Sequence, residues 1–308
     1  MIPRYVAAIR EGGLAVNQHP TVVRDLGALL VVEGNRGYGQ VIGFEAMQLA
    51  IVRARAHGSC VMGLRNAHHL GRIGHWAEQA VAAGLVSIHF VNVLSRPLVA
   101  PFGGSDARHG TNPFCVGVPR TGGEPVVLDF ATSRIAQGKA RVAHNRRVPV
   151  APGNVLDDAG RPTTDPRFAV VDPFGALLPF GEHKGSGLAL VCELLGGALT
   201  GGLTWRQPLD NRKNVVNGML SILIDPAKMG TADNLAAETE AYIAWHKQSP
   251  AAEGVDRVRV AGDPERESRA RRRVEGVPVD ANTWREILAA AAAFGMAAHD
   301  VERLAGLP

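Results

Sequence analysis

Short runs of β-branched and apolar residues, each closed by glycine or proline, alternate along this chain with alanine-rich stretches whose apolar side chains return every three or four positions. A two-residue period marks strands and a 3.6-residue period marks amphipathic helices, so their interleaving as far as Gly202 points to one mixed α/β body. The strand-like runs are 28–33, 86–93, 114–118, 125–130 and 219–224. Helical periodicity is clearest over 38–57, 73–84, 188–199, 235–246 and 282–294. Asp280 can cap the last of these and Gly295 can close it. Residues 142–178 are rich in Pro, Gly and Asp without a period, which predicts a long ordered loop, and loops of that length in compact proteins usually carry function.

With 308 residues, 46% of them hydrophobic, the chain can bury a large core in one large or two modest domains. Lys and Arg exceed Asp and Glu by only four, 33 against 29, which is too little to hold a polyanion by charge. The basic run Arg266, Arg269, Arg271, Arg272 and Arg273 is interleaved with Asp263, Glu265 and Glu267 and has no aromatic residue to stack on bases, so it reads as a solvated helix face. No nucleic-acid partner is expected. Cys60, Cys115 and Cys192 are odd in number, far apart and flanked by apolar residues, which suits reduced thiols in a cytoplasmic protein. The most apolar stretch, 287–298, is mostly alanine and falls short of the roughly 18 residues of a membrane span, and no signal peptide precedes Tyr5. No membrane association is expected. The spacing of Gly37, Gly39 and Gly43 misses a dinucleotide fingerprint by one position, and no acidic residue follows at about 20 residues, so a glycine-rich helix start is the simpler reading. Walker, C-x-x-C and H-E-x-x-H patterns do not occur, and no metal site is expected.

A few segments have the residue types for chemistry. In LRNAHHLGRIGHWAEQA, His68, His69, Arg72 and His75 crowd the start of a helix expected near Ile73. Imidazoles exchange protons near neutral pH and a guanidinium can fork onto a carboxylate, although the same residues can also be structural. In FGEHKGSGLALVCELLGG, Lys184, Gly185, Ser186 and Gly187 lead into an apolar helix expected from Leu188. That arrangement is either a clamp for phosphate or carboxylate, or a tight turn with left-handed glycine and a solvated lysine. VVLDFATSRIAQGKA ends a strand in Asp129, Thr132 and Ser133, which suit ribose hydroxyls or phosphate oxygens, or simply cap the next helix. GTNPFCVGVP, around Asn112, is either a ligand-facing segment or an ordinary strand lead-in.

In their order, NAHHLGRIGHW, VAPFGG, GTNPF, LDFATS, PTTDP, LPFGEHKGSGLALVCELL and VAGDPERE resemble the malate/L-lactate dehydrogenase type 2 family of NAD(P)-dependent oxidoreductases, from Ile2 to about Trp284, with the hydroxycarboxylate dehydrogenase branch most similar. The resemblance implies a mixed α/β, non-Rossmann fold: a twisted, largely antiparallel sheet flanked by helices, with a smaller helical domain, working as a homodimer. It divides the chain into 1–55 with 226–308, mainly helical, and 56–225, a sheet domain that holds NAD or NADP. It places the proton-exchanging histidine at His69, beside His68. Cofactor contacts fall on Leu128, Asp129, Phe130, Ala131, Thr132 and Ser133, on His183 and Lys184, on Gly262, Asp263, Pro264 and Glu265, and on Asn112 and Ser95. Arg72 is the nearest arginine in sequence for a substrate carboxylate. Family members also carry an S-H-G segment shortly before the tyrosine matched by Tyr5, and often an arginine where Met1 stands. The chain is therefore expected to start at an internal methionine, by truncation or a misassigned start, with an in-frame S-H-G upstream.

The implied reaction is reversible hydride transfer between nicotinamide C4 and C2 of a small 2-hydroxy or 2-oxo acid, with His69 moving the proton. Reduction of the C=N bond of a cyclic imino acid is the enzymatic alternative. A catalytically silent cofactor-binding protein, short of its S-H-G segment, is the alternative from a different class. NAD against NADP stays open.

Overall fold

The computed structural model describes residues 2–206 and 214–306. Its strands are β1 (Thr21–Asp25), β2 (Leu29–Glu33), β3 (Ser59–Ala67), β4 (Val86–Leu94), β5 (Phe114–Val118), β6 (Val126–Phe130), β7 (Val155–Leu156), β8 (Pro162–Thr163), β9 (Ala176–Leu177) and β10 (Val216–Ile224). Its helices are α1 (Ile2–Arg10), α2 (Gly39–His57), α3 (Gly74–Ala82), α4 (Gln137–Arg146), α5 (His183–Cys192), α6 (Ala232–Lys247), α7 (Asp263–Glu275), α8 (Ala281–Ala292) and α9 (Ala298–Leu304).

One large sheet has the order β1-β2-β3-β10-β4-β5-β6. Strands β2 and β3 run parallel, and the other neighbours run antiparallel. Strands β8, β7 and β9 form a small second sheet. Strand β10, VNGMLSILI, sits between β3 and β4 with no residue exposed, which explains its nearly continuous apolar run. Helices α2 and α3 cover one face. Ile42, Ala46, Met47 and Ala50 of α2 and Trp76 and Ala77 of α3 close over Leu30, Val32, Met62, Leu64, Met219 and Leu223. Segment 193–198, continuing α5, packs on β4 and β10. Among the described residues, no helix is long and apolar enough to cross a membrane.

Several expectations need correction. The helix expected from Leu188 begins five residues earlier, at His183, so Lys184, Gly185, Ser186 and Gly187 lie in its first turns; the left-handed residues that lead into it are Gly181 and Glu182. Its second half, Glu193–Ala198, widens into a π-helix. A Cβ on Gly196 would lie 2.7 Å from the Asn92 amide nitrogen, and one on Gly197 2.5 Å from Asn92 Nδ2, so two bare positions seat this turn against β4. The wide turn also points Glu193 inward, where it accepts from Asn112 Nδ2 (2.8 Å) and from the Trp205 amide (2.8 Å). Residues 142–146 finish α4, and β7, β8, β9 and the 3-10 turn Pro166–Ala169 interrupt the segment that was expected to be a loop. Strands β1 and β3 carried no strand signal: β1 is exposed throughout, and β3 carries Arg65 and Asn66 just before its last residue, Ala67. Strands β1 and β2 lie within 1–55 and yet extend the large sheet.

Helix α1 packs on α8, and Arg10 Nη2 donates to the Ala293 carbonyl (2.7 Å). Asp280 caps α8 through the Thr283 amide (2.9 Å), and left-handed Gly295 follows the helix end, both as expected.

Candidate active site

At the end of β3 the chain turns through His68 to Arg72 and enters α3. Three contacts fix this turn. The His68 amide donates to the Gly37 carbonyl (3.1 Å), and the Leu70 amide donates to Asn217 Oδ1 (2.8 Å). Gly39, the first residue of α2, lies so close that a Cβ there would be 2.2 Å from the His69 carbonyl oxygen. Gly43, one turn on, sits against the Trp76 ring. The glycines of GYGQVIG thus bring α2 against the histidine turn and α3; they bind the fold, as a glycine-rich helix start.

His69 Nδ1 lies 2.8 Å from the Tyr5 hydroxyl, and Gln40 Nε2 donates to the same oxygen at 3.1 Å. The Tyr5 ring stands edge-on to His68 (5.5 Å) and Tyr38 (5.8 Å). His68 is 1% exposed and neither of its ring nitrogens has a hydrogen-bond partner. Burial, reinforced by the Arg4 guanidinium, pushes both imidazoles down to about 4; for His68 its neighbour His69 adds to the effect. Both rings are neutral at pH 7.

Arg72 points elsewhere. Its Nη2 donates to Glu78 (2.7 Å) and its Nε lies 3.8 Å from Asp129, while Arg269 also binds Glu78 (2.9 Å). Asp129 Oδ2 accepts from the Gly74 amide (2.8 Å), so it caps α3, the preceding helix and not the following one. Burial raises the Asp129 carboxyl, against the pull of the Gly74 amide and Arg72.

The other expected cofactor residues lie along β6, the last strand of the sheet, whose outer edge no strand covers. Leu128 is exposed and Phe130 and Ala131 are half-buried. The Val127 amide reaches the Ala261 carbonyl (3.3 Å), which brings Gly262, Asp263, Pro264 and Glu265 alongside the strand. Asp263 is engaged by Arg266 (2.6 Å) and Lys247 (3.4 Å). At the other end of β6 the Phe180 amide donates to the Thr132 carbonyl (3.0 Å) and the Phe130 and Phe180 rings lie 5.2 Å apart, so the start of α5, with exposed His183 and Lys184, adjoins the same edge. The hydroxyls of Thr132 and Ser133 turn inward, to the carbonyls of Thr111 (3.0 Å) and Ile135 (2.8 Å). Asn112 is wholly buried and bridges the Val93 amide, the Ala189 carbonyl and Glu193. Ser95 is buried beside Arg96.

The geometry therefore sorts the expected residues. Arg72, Leu128 to Ser133, His183, Lys184 and Gly262 to Glu265 share one strip along β6. His68 and His69, four and three residues before Arg72, lie at the end of β3, which β10, β4 and β5 separate from β6 in the sheet, and among the described residues no hydrogen bond or ion pair joins His69 to β6 or to Lys184. Asn112 and Ser95 lie beneath, in the interior. Sequence reasoning missed Gln40 and Arg4 and gave Tyr5 no role; α1 brings two of these to the histidines across some 64 positions of chain, a distance no local pattern spans. Features suited to a dinucleotide are the edge-strand backbone beyond Val127, the Lys184 ammonium and the amino terminus of α5, whose amides favour phosphate, whereas the first turn of α7 carries Asp263 and Glu265.

The profile of the malate/L-lactate dehydrogenase family matches residues 1–288, and the chain belongs to that family. It is 47% identical to hydroxycarboxylate dehydrogenase B of Escherichia coli O157:H7 over 298 residues, 96% of this chain and 82% of the relative. It is 44% identical to an L-lactate dehydrogenase of Cupriavidus necator over 273 residues, 88% of this chain and 78% of the relative. A solved E. coli structure, provisionally described as a malate/lactate dehydrogenase, superposes with a TM-score of 0.93 at 45% identity, covering 98% of this chain and 85% of that one.

Proposed function

We propose that this protein is an NAD(P)-dependent 2-hydroxycarboxylate dehydrogenase, transferring hydride between the cofactor and C2 of a small 2-hydroxy or 2-oxo acid. Its family and the names of its relatives support that reaction class ahead of C=N reduction or a silent binding protein. The observation that supports the reading is His69, hydrogen-bonded to Tyr5 through Nδ1, on the turn that leads into α3, whose first amide is held by Asp129 of β6.

A nicotinamide cofactor, when bound, gives or takes the hydride. Leu128 to Ala131, His183, Lys184 and Gly262 to Glu265 would hold it, in a site unlike a Rossmann crevice. His69 moves the proton at the C2 oxygen, because an uncompensated alkoxide is costly in a water-poor pocket. A neutral imidazole can hydrogen-bond the C2 carbonyl through its N–H, and when it gives that proton up its other nitrogen takes one from its partner, the Tyr5 hydroxyl. The substrate carboxylate is drawn toward Arg4, whose charge already acts on both histidines, while Arg72 braces the strip through Asp129 and Glu78.

In this reading residues 56–225, joined by Gly262 to Glu265, form the cofactor-binding part, and the rest of 1–55 with 226–308 is the mainly helical part. The homodimer is supported by exposed Leu190, Leu194 and Leu199 near the π-helical turn, and a cytoplasmic site by three buried free thiols. Thermal unfolding with NADH and with NADPH, followed by absorbance assays on a panel of 2-oxo acids, tests the proposal. One of the two cofactors at 100 times its Kd should stabilise by about 2.7 kcal/mol, and at least one oxo acid should consume it. No shift with either cofactor and no turnover would remove the reading.

A further inference from the structure

Tyr5 stands between two partners whose hydrogen-bonding roles are unequal. The Gln40 amide nitrogen carries only hydrogens, so at 3.1 Å it donates to the Tyr5 oxygen. The phenol has one hydrogen of its own, and with its oxygen already accepting, that hydrogen is directed to the remaining neighbour, His69 Nδ1, at 2.8 Å. A neutral imidazole that accepts at Nδ1 carries its proton at Nε2. Among the described residues Nε2 has no protein partner, which leaves it for the substrate. Burial above all keeps the ring neutral, and of the described residues Arg4, whose charge opposes its protonation, and the neighbouring His68 are not acids.

We propose that Tyr5, braced by Gln40, is a positioning residue that holds His69 as its Nε2–H tautomer, so that the resting enzyme presents an N–H to the C2 oxygen of a 2-oxo acid; as that oxygen takes the Nε2 proton, the Tyr5 hydroxyl hydrogen passes to Nδ1 and the phenolate is reprotonated from solvent. The inference rests on the role given to His69 above, but its structural half stands apart from turnover. Two features of the fold make the chain Gln40–Tyr5–His69 reliable. Gln40 follows Gly39, the residue that sets α2 against the His69 backbone, so the amide and the ring are positioned by one contact. Tyr5 is wedged between Tyr38, His68 and His69, which limits the directions its hydroxyl can take.

The experiment is 15N-histidine labelling of the whole protein, with two-bond 1H–15N correlation to read each tautomer and a His69→Asn variant to assign the signal. His69 should show an unprotonated Nδ1 and a protonated Nε2. Tyr5→Phe, which keeps the ring, should remove the preference. Gln40→Glu should reverse it, because a carboxylate accepts the phenol hydrogen and leaves the Tyr5 oxygen to accept from Nδ1–H. In turnover, Tyr5→Phe should lower kcat for oxo-acid reduction by about 10- to 100-fold, the scale of a misplaced or wrongly tautomeric base, with KM for the cofactor unchanged. A wild-type His69 protonated at Nδ1, or one whose tautomer ignores both substitutions, overturns the proposal. A correct tautomer in a protein that turns over no oxo acid upholds the relay and overturns only the function assigned to it.

Discussion

The two adjacent imidazoles differ in what surrounds them. Among the described residues, His69 has a hydroxyl on one nitrogen and no partner on the other, whereas His68 is sealed with both nitrogens unpartnered. An unpaired buried polar group costs on the order of 1–3 kcal/mol, and it persists where some other demand fixes the residue. Here that demand is the turn itself, whose backbone is pinned from Gly37, Gly39 and Asn217. In the proposed reaction this divides the labour, with His69 assigned the proton and His68 only lining the turn. His69→Ala should lower turnover by about 10²-fold or more while leaving cofactor-induced thermal stabilisation intact, because in the proposed function the imidazole moves the proton and the dinucleotide is assigned to the β6 strip. Single-turnover kinetics and a melting curve with cofactor check the two halves of that statement separately.

At the level of elements, the glycines of the α2 start matter most. Gly39→Ala puts a methyl group into the His69 carbonyl, and because the obstacle is backbone it cannot rotate away. We expect a loss of about 1–3 kcal/mol from overpacking, read by denaturant unfolding, together with a loss of roughly 10²-fold in turnover, since even a shift of about 1 Å in the histidine turn spoils the reacting geometry. The same glycines show how far local pattern reaches. Their spacing excluded a dinucleotide fingerprint and predicted a helix start, which the structure has at Gly39, but nothing local told which backbone they make room for. Strands β4, β5 and β6 were legible as short β-branched or apolar runs, and helices α2, α6 and α8 as longer runs in which apolar residues return every three or four positions. Strand β3 was not, since Gly63, Arg65 and Asn66 break its alternation although its neighbours bury it. The start of α5 was misplaced for the opposite reason: Gly185 and Gly187 read as a turn, yet a Cβ at Gly185 would lie 2.1 Å from the Phe180 carbonyl, so that glycine serves a close approach inside a helix. Of the candidate site, the histidines and the β6 strip were visible as motifs, whereas the pairing of Arg72 with acids and the reach of Tyr5 arise only from tertiary contact.

Across the whole molecule, the histidines set the response to acid. His68 and His69 titrate at about 4 and His89, enclosed between Ser221 Oγ (2.8 Å) and Ser87 Oγ (3.0 Å), at about 3, all by burial, against an ordinary value of 6.5. Between those limits the unfolded chain binds protons that the native state refuses, so stability rises with pH through this window. Their contribution is fully present above about pH 6.5 and is lost progressively as the pH falls toward 4. Melting temperature should therefore fall from pH 7 to pH 5, and His89→Phe should not remove the fall, because the pair at the turn remains. A flat profile over that range would contradict the burial of these rings.

The packing of α1 on α8 carries a last implication. Helix α8 is clasped to α4 by Asn282 and Asn145, and it anchors the end of α1 through Arg10. The helices after residue 280 thus act as a remote splint for the tyrosine, and a protease that nicks the chain beyond α7 would blunt the chemistry from far away without altering a single atom that meets the reactants.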